Sequence, residues 1–160
     1  MNKTTEDLLE RIAIELGIEK RLLWALIQNE SNWNPQAKNP YSTAKGLLQW
    51  IDMTAKEIGF NTSEELVNKL STVEQQLQYA VLPYLKRRMP FNSPQSLFMS
   101  IFYPAARNWP DFKEFPAKVQ AINPGIKTPA DYIKKVYAKI ALRYVPHIAI
   151  LLVSTITIFF

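Results

Sequence analysis

The sequence predicts an all-α fold: one multi-helix domain over residues 1–143, followed by a hydrophobic C-terminal segment from Tyr144 to Phe160. Three observations carry this prediction. Apolar residues recur at helical spacing in successive stretches, residues that favour helix caps stand before those stretches, and Gly or Pro closes them. No stretch of the domain alternates convincingly with period two, as a half-buried strand would. Six to eight short helices between Thr4 and Arg143 account for the pattern.

Thr4 or Thr5 can cap a first helix whose opening turn carries Glu6 and Asp7, where acidic side chains suit the helix dipole. Leu8, Leu9, Ile12, Ala13 and Leu16 share one face, and Gly17 stops the helix. A second helix runs from about Glu19 to Glu30, with Leu22, Leu23, Leu26 and Ile27 as core residues. Pro35 and Pro40 make Ser31 to Lys45 a loop. Asp52 can cap a short helix ending at Gly59, and Ser63 and Ser71 open two more. The second of these carries Val73, Leu77, Ala80, Val81, Tyr84 and Leu85, with a kink expected at Pro83. Ser93-Pro94 is a cap followed by Pro at the first helical position, and Pro104 ends the apolar helix it starts. Thr128-Pro129-Ala130-Asp131 repeats that signal, with Asp131 placed for a capping box, and its helix is expected to run to about Arg143.

Bulk properties bound the chemistry. The 160 residues suit one domain, and 48% hydrophobic content can fill a core. Cys is absent and His147 is the one His, which excludes disulfides and thiolate metal sites and argues against His-based catalysis. No metal or other cofactor is expected. The net charge of +5 suits a polyanion, an anionic cell wall or a membrane surface. The Lys86-Arg87-Arg88 run has no basic-aromatic array around it, so no nucleic-acid partner is expected.

The chemistry-bearing stretch is Ile27 to Trp50, "IQNESNWNPQAKNPYSTAKGLLQW". An apolar helix ends on Glu30, whose helical neighbours Leu26 and Ile27 are both apolar. A carboxyl pressed against such a surface loses hydration and its pKa rises, which lets it hold a proton near neutral pH and act as general acid, then base. The plain alternative is an exposed Glu at a helix end. Two groups of residues bear on the choice: Glu30, Ser31, Trp33, Pro35 and Ala37, then Ala44, Gly46, Leu47 and Gln49, with Thr54-Ala55 after them. Together they resemble the lytic transglycosylases of the goose-lysozyme-like superfamily. In that family, Glu-Ser-x-aromatic-x-Pro-x-Ala precedes Gly-Ala-x-Gly-Leu-Met-Gln. "FYPAARNW", Phe102 to Trp109, looks like the family's Ala-Tyr-Asn-Ala-Gly element, with Tyr103 and Ala105 matching and Pro104 and Ala106 departing. The resemblance covers about Leu22 to Val136.

The resemblance implies a lysozyme-like fold and cleavage of the β-1,4 bond between N-acetylmuramic acid and N-acetylglucosamine in the glycan strands of peptidoglycan. One carboxyl suffices when the muramyl 6-hydroxyl closes on its own anomeric carbon, leaving a 1,6-anhydro end. Glu30 is the candidate catalytic residue, and Ser31, Gly46, Gln49 and Tyr103 are candidate substrate-binding residues. Gln49 offers an amide donor and acceptor. Gly46 permits close backbone approach beneath the cleft. Ser31 and Tyr103 can hydrogen-bond Glu30 or the sugar, or serve as a loop residue and a core aromatic. Trp33, Tyr41, Trp50 and Trp109 can stack on sugar rings, although Trp33 and Trp50 read more simply as packing. The nearest downstream acids, Asp52 and Glu57, read as a helix cap and a surface charge. An ordinary glycosidase needs two carboxyls, so the sequence leans to the one-carboxyl route. A hydrolytic muramidase and a non-catalytic wall-binding virion protein are the alternatives.

The tail and the N-terminus bear on location. "MNKTTEDLLE" has no apolar signal region, while the substrate lies outside the cytoplasmic membrane. The expectation is a bacteriophage protein carried by the virion to the host wall, with other virion proteins as partners. Tyr144 to Phe160 has no Asp, Glu, Lys or Arg and follows Lys134, Lys135, Lys139 and Arg143. It reads as a membrane anchor, set off by Pro146, or as a last buried segment of the domain. As an anchor, its basic flank would put the domain on the cytoplasmic side of a host membrane, which suits packaging into a particle.

Overall fold

The computed structural model describes the backbone of residues 2–156 and the side chains of residues 2–143. The described residues are all-α, with only isolated bridges outside the helices. Helix α1 spans Lys3–Leu16, α2 Lys20–Ser31, α3 Asp52–Glu57, α4 Ser63–Lys69 and α5 Val73–Gln76. A π-helical turn, Leu77–Val81, joins α5 to α6, Leu82–Lys86. Then come α7, Pro94–Phe102, a 3-10 turn at Pro104–Ala106, α8, Ala117–Ile122, and α9, Pro129–Ile156.

Most ends are set by the side chains that the sequence offers. Gly17 closes α1 at φ +64°, where its N–H reaches back to Ala13 and Ile14. Ser93 and Ser96 cap each other's backbone at the start of α7, with Pro94 at its first position. The Asp131 carboxylate accepts from the Lys127 and Thr128 N–H groups and from the Thr128 hydroxyl. Other caps differ from expectation. Asn2, rather than Thr4 or Thr5, caps α1, because its Oδ1 accepts the Thr5 N–H at 2.8 Å. Thr62 and Thr72 cap α4 and α5, one residue away from Ser63 and Ser71. Asp52 lies inside α3 and accepts instead from the N–H and hydroxyl of Ser63, both at 2.9 Å. The expected kink at Pro83 takes the form of the π turn. Pro83 lacks an N–H and its ring crowds the preceding turn; the widened turn before it carries the Leu82 N–H to Leu77. Helix α8 had no strong apolar stripe to announce it, and none of its residues is buried.

Helix α2 is the centre of the packing. Leu23, Ala25, Leu26 and Ile27 have no exposed surface. Around them lie Leu9, Ile12 and Leu16 of α1, Leu47 and Trp50 of the following loop, and Tyr132 and Val136 of α9. Helix α9 crosses α2 antiparallel: Tyr132 meets Glu30 at one end, and Arg143 lies 4.4 Å from the Trp24 ring centre at the other. The helix was expected to end near Arg143. It continues through position 146 to Ile156, so Pro146 does not end it. The side chains of Tyr144 to Phe160, on which the reading of an anchor rests, lie outside the described residues. Among those described, no helix is long and apolar enough to cross a membrane.

Candidate active site

Glu30 occupies the last turn of α2 because the buried stripe of Leu23, Ala25, Leu26 and Ile27 fixes the rotation of that helix. The residue keeps some exposed surface, but its carboxyl is enclosed. Burial raises its pKa above the ordinary 4.5, against the Tyr132 hydroxyl, the Asn29 amide and the Lys135 charge, which pull it down. Tyr132 donates its phenol to Oε1, and Asn29 donates Nδ2 to the same oxygen at 3.1 Å. Asn29 also reaches the Tyr132 oxygen at 3.4 Å. Oε2 accepts from none of the described residues. Tyr132 is 2% exposed, and its own pKa is pushed well above 10 by burial and by the neighbouring carboxyl, so it stays a donor. Phe102 stacks on it with ring centres 4.3 Å apart.

Glu30 borders a cleft of about 420 Å³. Ser42, Ala44, Leu48, Gln49 and Trp50 form one wall, and α3 contributes Met53, Thr54 and Glu57. Tyr84, Arg88, Phe102, Pro104, Ile122 and Asn123 complete it. Glu30 and Glu57 are the acids among the lining residues. Glu57 forms an ion pair with Arg88 at 2.6 Å, and the guanidinium lies 3.6 Å from the Tyr84 ring centre. Glu57 is exposed, as expected of a surface charge, but it borders the cleft and is paired.

The turn from Gly46 to Gln49 supports that wall. Gln49 has φ +52°, rare for a residue with a side chain. Its N–H and its Nε2 both donate to the Gly46 carbonyl, at 3.2 and 3.1 Å. Its Oε1 accepts from none of the described residues, and Gln49 borders the cleft. Gly46 has φ +74°, and a Cβ there would lie 2.6 Å from Gln76 Oε1. The wholly buried Gln76 amide ties three segments together, accepting from Leu47 N–H at 2.8 Å and donating to Pro35 and Leu70 carbonyls at 2.7 and 2.9 Å.

The structure thus brings Glu30 and Gln49 to one cleft and puts Gly46 behind its wall. Ser31 turns away: its hydroxyl donates to the Ile27 carbonyl at 3.2 Å, within its own helix. Tyr103 is not the phenol on Glu30. It packs edge-on against Trp109 and Phe115, because Pro104 ends α7 and turns the chain there. Tyr132 holds that place and was missed from the sequence, where it reads as one member of an apolar stripe with Val136 and Ile140. The signal was its hydroxyl, since a buried phenol in such a stripe needs a polar partner.

No metal-binding group of His, Asp or Glu occurs among the described residues. No curated protein matches the chain. The family model described as Transglycosylase SLT domain matches residues 7–102, a span that holds Glu30, Ser31, Gly46 and Gln49 and stops one residue before Tyr103. The match covers more than half of the sequence, and the chain belongs to the transglycosylase SLT domain family, lytic transglycosylases of the lysozyme-like superfamily that act on peptidoglycan.

Proposed function

We propose that Glu30 is the single acid/base of a reaction that cleaves the N-acetylmuramyl β-1,4 bond and leaves a 1,6-anhydro end. The observation that carries this reading is the asymmetric environment of its carboxyl. Two donors occupy Oε1, so the proton of the neutral acid belongs on Oε2. Burial favours that neutral acid. Oε2 gives its proton to the glycosidic oxygen as the C–O bond breaks. The carboxylate left behind is held by Tyr132 and Asn29. It then takes the proton of the muramyl 6-hydroxyl, whose oxygen bonds to the anomeric carbon. Proton and atoms balance without water. Gln49 Oε1 would accept from an acetamido N–H or a hydroxyl of the sugar. Gly46 and Ser31 would act through packing, and Tyr103 would brace the aromatic cluster beside Phe102.

Glu57 supports a second reading, hydrolysis by a muramidase, since it is another carboxyl of the same cleft. Its ion pair with Arg88 disfavours a role as base. The experiment is mass spectrometry of digested peptidoglycan. Muropeptides one water lighter than lysozyme products are expected; mainly reducing muramyl ends would replace the one-carboxyl route with hydrolysis. Glu30→Gln cannot cycle a proton and should lower lysis by orders of magnitude while the fold persists. Near-normal clearing by that variant would remove Glu30 from the mechanism, whereas a wild-type chain that binds peptidoglycan without clearing it would leave a wall-binding role.

Delivery by a phage particle belongs to the same proposal and rests on the Tyr103-Pro104-Ala105-Ala106 variant, which looks like phage members of the family. So does membrane contact through Tyr144 to Phe160, which rests on the uncharged run after a basic stretch.

A further inference from the structure

A second cleft, of about 510 Å³, lies on the other side of α2. Trp24 and Gln28 are four residues apart on one face of that helix, while Glu30 lies about 200° around the axis from Gln28. Trp33 joins them from the turn after α2, Asn2 and Thr5 from the start of α1, and Val73 and Glu74 from the start of α5. The volume is in the range of small-ligand sites, about 300–1,000 Å³.

We propose that this cleft binds an N-acetylhexosamine ring of a glycan strand, as a second site separate from the one at Glu30. The proposal rests on the reading of peptidoglycan as substrate. Four observations support it. The Trp24 and Trp33 rings lie 6.4 Å apart between centres, tilted by 34°, and offer flat apolar surface for the C–H face of a sugar. The Trp33 indole Nε1 is buried without a hydrogen-bond partner, so the ring must turn for this donor to reach an acetamido or hydroxyl oxygen. Trp33 has φ +62°, a conformation that bulky residues avoid and that persists only where the surroundings enforce it. The polar rim consists of the Asn2 and Gln28 amides and the Glu74 carboxylate, to which the buried Thr5 hydroxyl donates, and it suits neutral hydroxyls. No Lys or Arg lines the cleft, and Glu74 would repel a phosphate or other anion. Arg143 stacks on Trp24 and fixes its ring. A strand held here would sit on the far face of α2 from the strand being cut, so one molecule would grip two strands.

The test uses the indole N–H resonances of the four tryptophans in the isotope-labelled full-length chain carrying Glu30→Gln, titrated with chitotetraose. Trp50 borders the catalytic cleft and reports on it independently. The Trp24 and Trp33 resonances should shift saturably. Gln28→Ala should weaken that response about tenfold, equivalent to about 1.4 kcal/mol, and Trp24→Ala should remove it at Trp33. With Glu30 intact, Trp24→Ala should still cleave soluble glycan fragments normally but bind insoluble peptidoglycan less. Stationary Trp24 and Trp33 resonances, whatever Trp50 does, overturn the proposal. So does a Trp33 shift that survives both substitutions. Failure of the wild-type chain to release muropeptides would instead count against the reading of Glu30.

Discussion

Glu30 makes catalysis and stability pull in opposite directions, and the sign follows from its pKa. In the unfolded chain its carboxyl titrates near 4.5; in the fold, burial raises that value. The native state therefore holds the proton more tightly. The group's stabilising contribution is full below about pH 4.5 and is lost as pH rises through the raised native value. Gln has no such loss. Glu30→Gln should gain melting temperature over the wild type at neutral pH, and the gain should shrink near pH 4. Melts at both pH values check this, and a difference independent of pH would mean that the native pKa is not raised. Activity needs the protonated acid, so its alkaline limb should follow the same raised value. Tyr132→Phe removes a donor that lowers Glu30's pKa and that holds the carboxylate formed during the reaction. The limb should move to higher pH, while kcat falls about 10- to 100-fold, the worth of a hydrogen bond to a charged group at ~1.5–3 kcal/mol. A pH–rate profile with an unmoved limb would reduce Tyr132 to a packing residue.

At the scale of elements, the cleft wall depends on backbone that only particular residues can form. Gly46→Ala puts a Cβ at φ +74°, against a Gln76 amide that cannot move without breaking its three hydrogen bonds. The expected cost is about 2–4 kcal/mol from strain and overpacking, read as a lower urea midpoint, with activity lost as the Gln49 turn shifts. A near-neutral result would show that the wall can yield. These elements differ in how far the sequence revealed them. The extents of α2 and α7, the Gly17 stop and the Thr128–Asp131 cap were legible, because each is set by local spacing or local hydrogen bonds. The motif singled out Glu30 and Gln49, and both border the one cleft. Gln76 and Tyr132 were not legible, because Gln76 joins Leu47 and Pro35, 29 and 41 positions away, and Tyr132 joins Glu30, 102 positions away, and no local pattern connects them. Asp52 was misread by the same logic: a carboxylate at a helix start can cap its own helix or a neighbour, and Ser63 lay within reach.

For the whole molecule, α9 acts as a strap across α2. Its first turn delivers Tyr132 to Glu30, and its later part brings Arg143 to an ion pair with Glu6 at 2.7 Å and onto Trp24. These contacts tie α9 to both α1 and α2 up to Arg143, and among the described residues the buried core reaches Val136. The helix nevertheless runs on to Ile156. A boundary was expected at Pro146 because an interior proline costs a helix about 3 kcal/mol, yet the backbone is helical across it. Continuity of backbone does not make the extension part of the core. A chain ending at Arg143 should stay folded, soluble and lytic, with a melting temperature close to that of the full chain. The full chain should float with lipid vesicles and the shortened one should not. If instead residues 144–160 fill a groove on the domain, shortening would expose apolar core and cost several kcal/mol, as large core deletions do. Thermal melts and flotation of the two forms separate these outcomes, and a soluble full chain paired with an unfolded shortened one would reject the anchor.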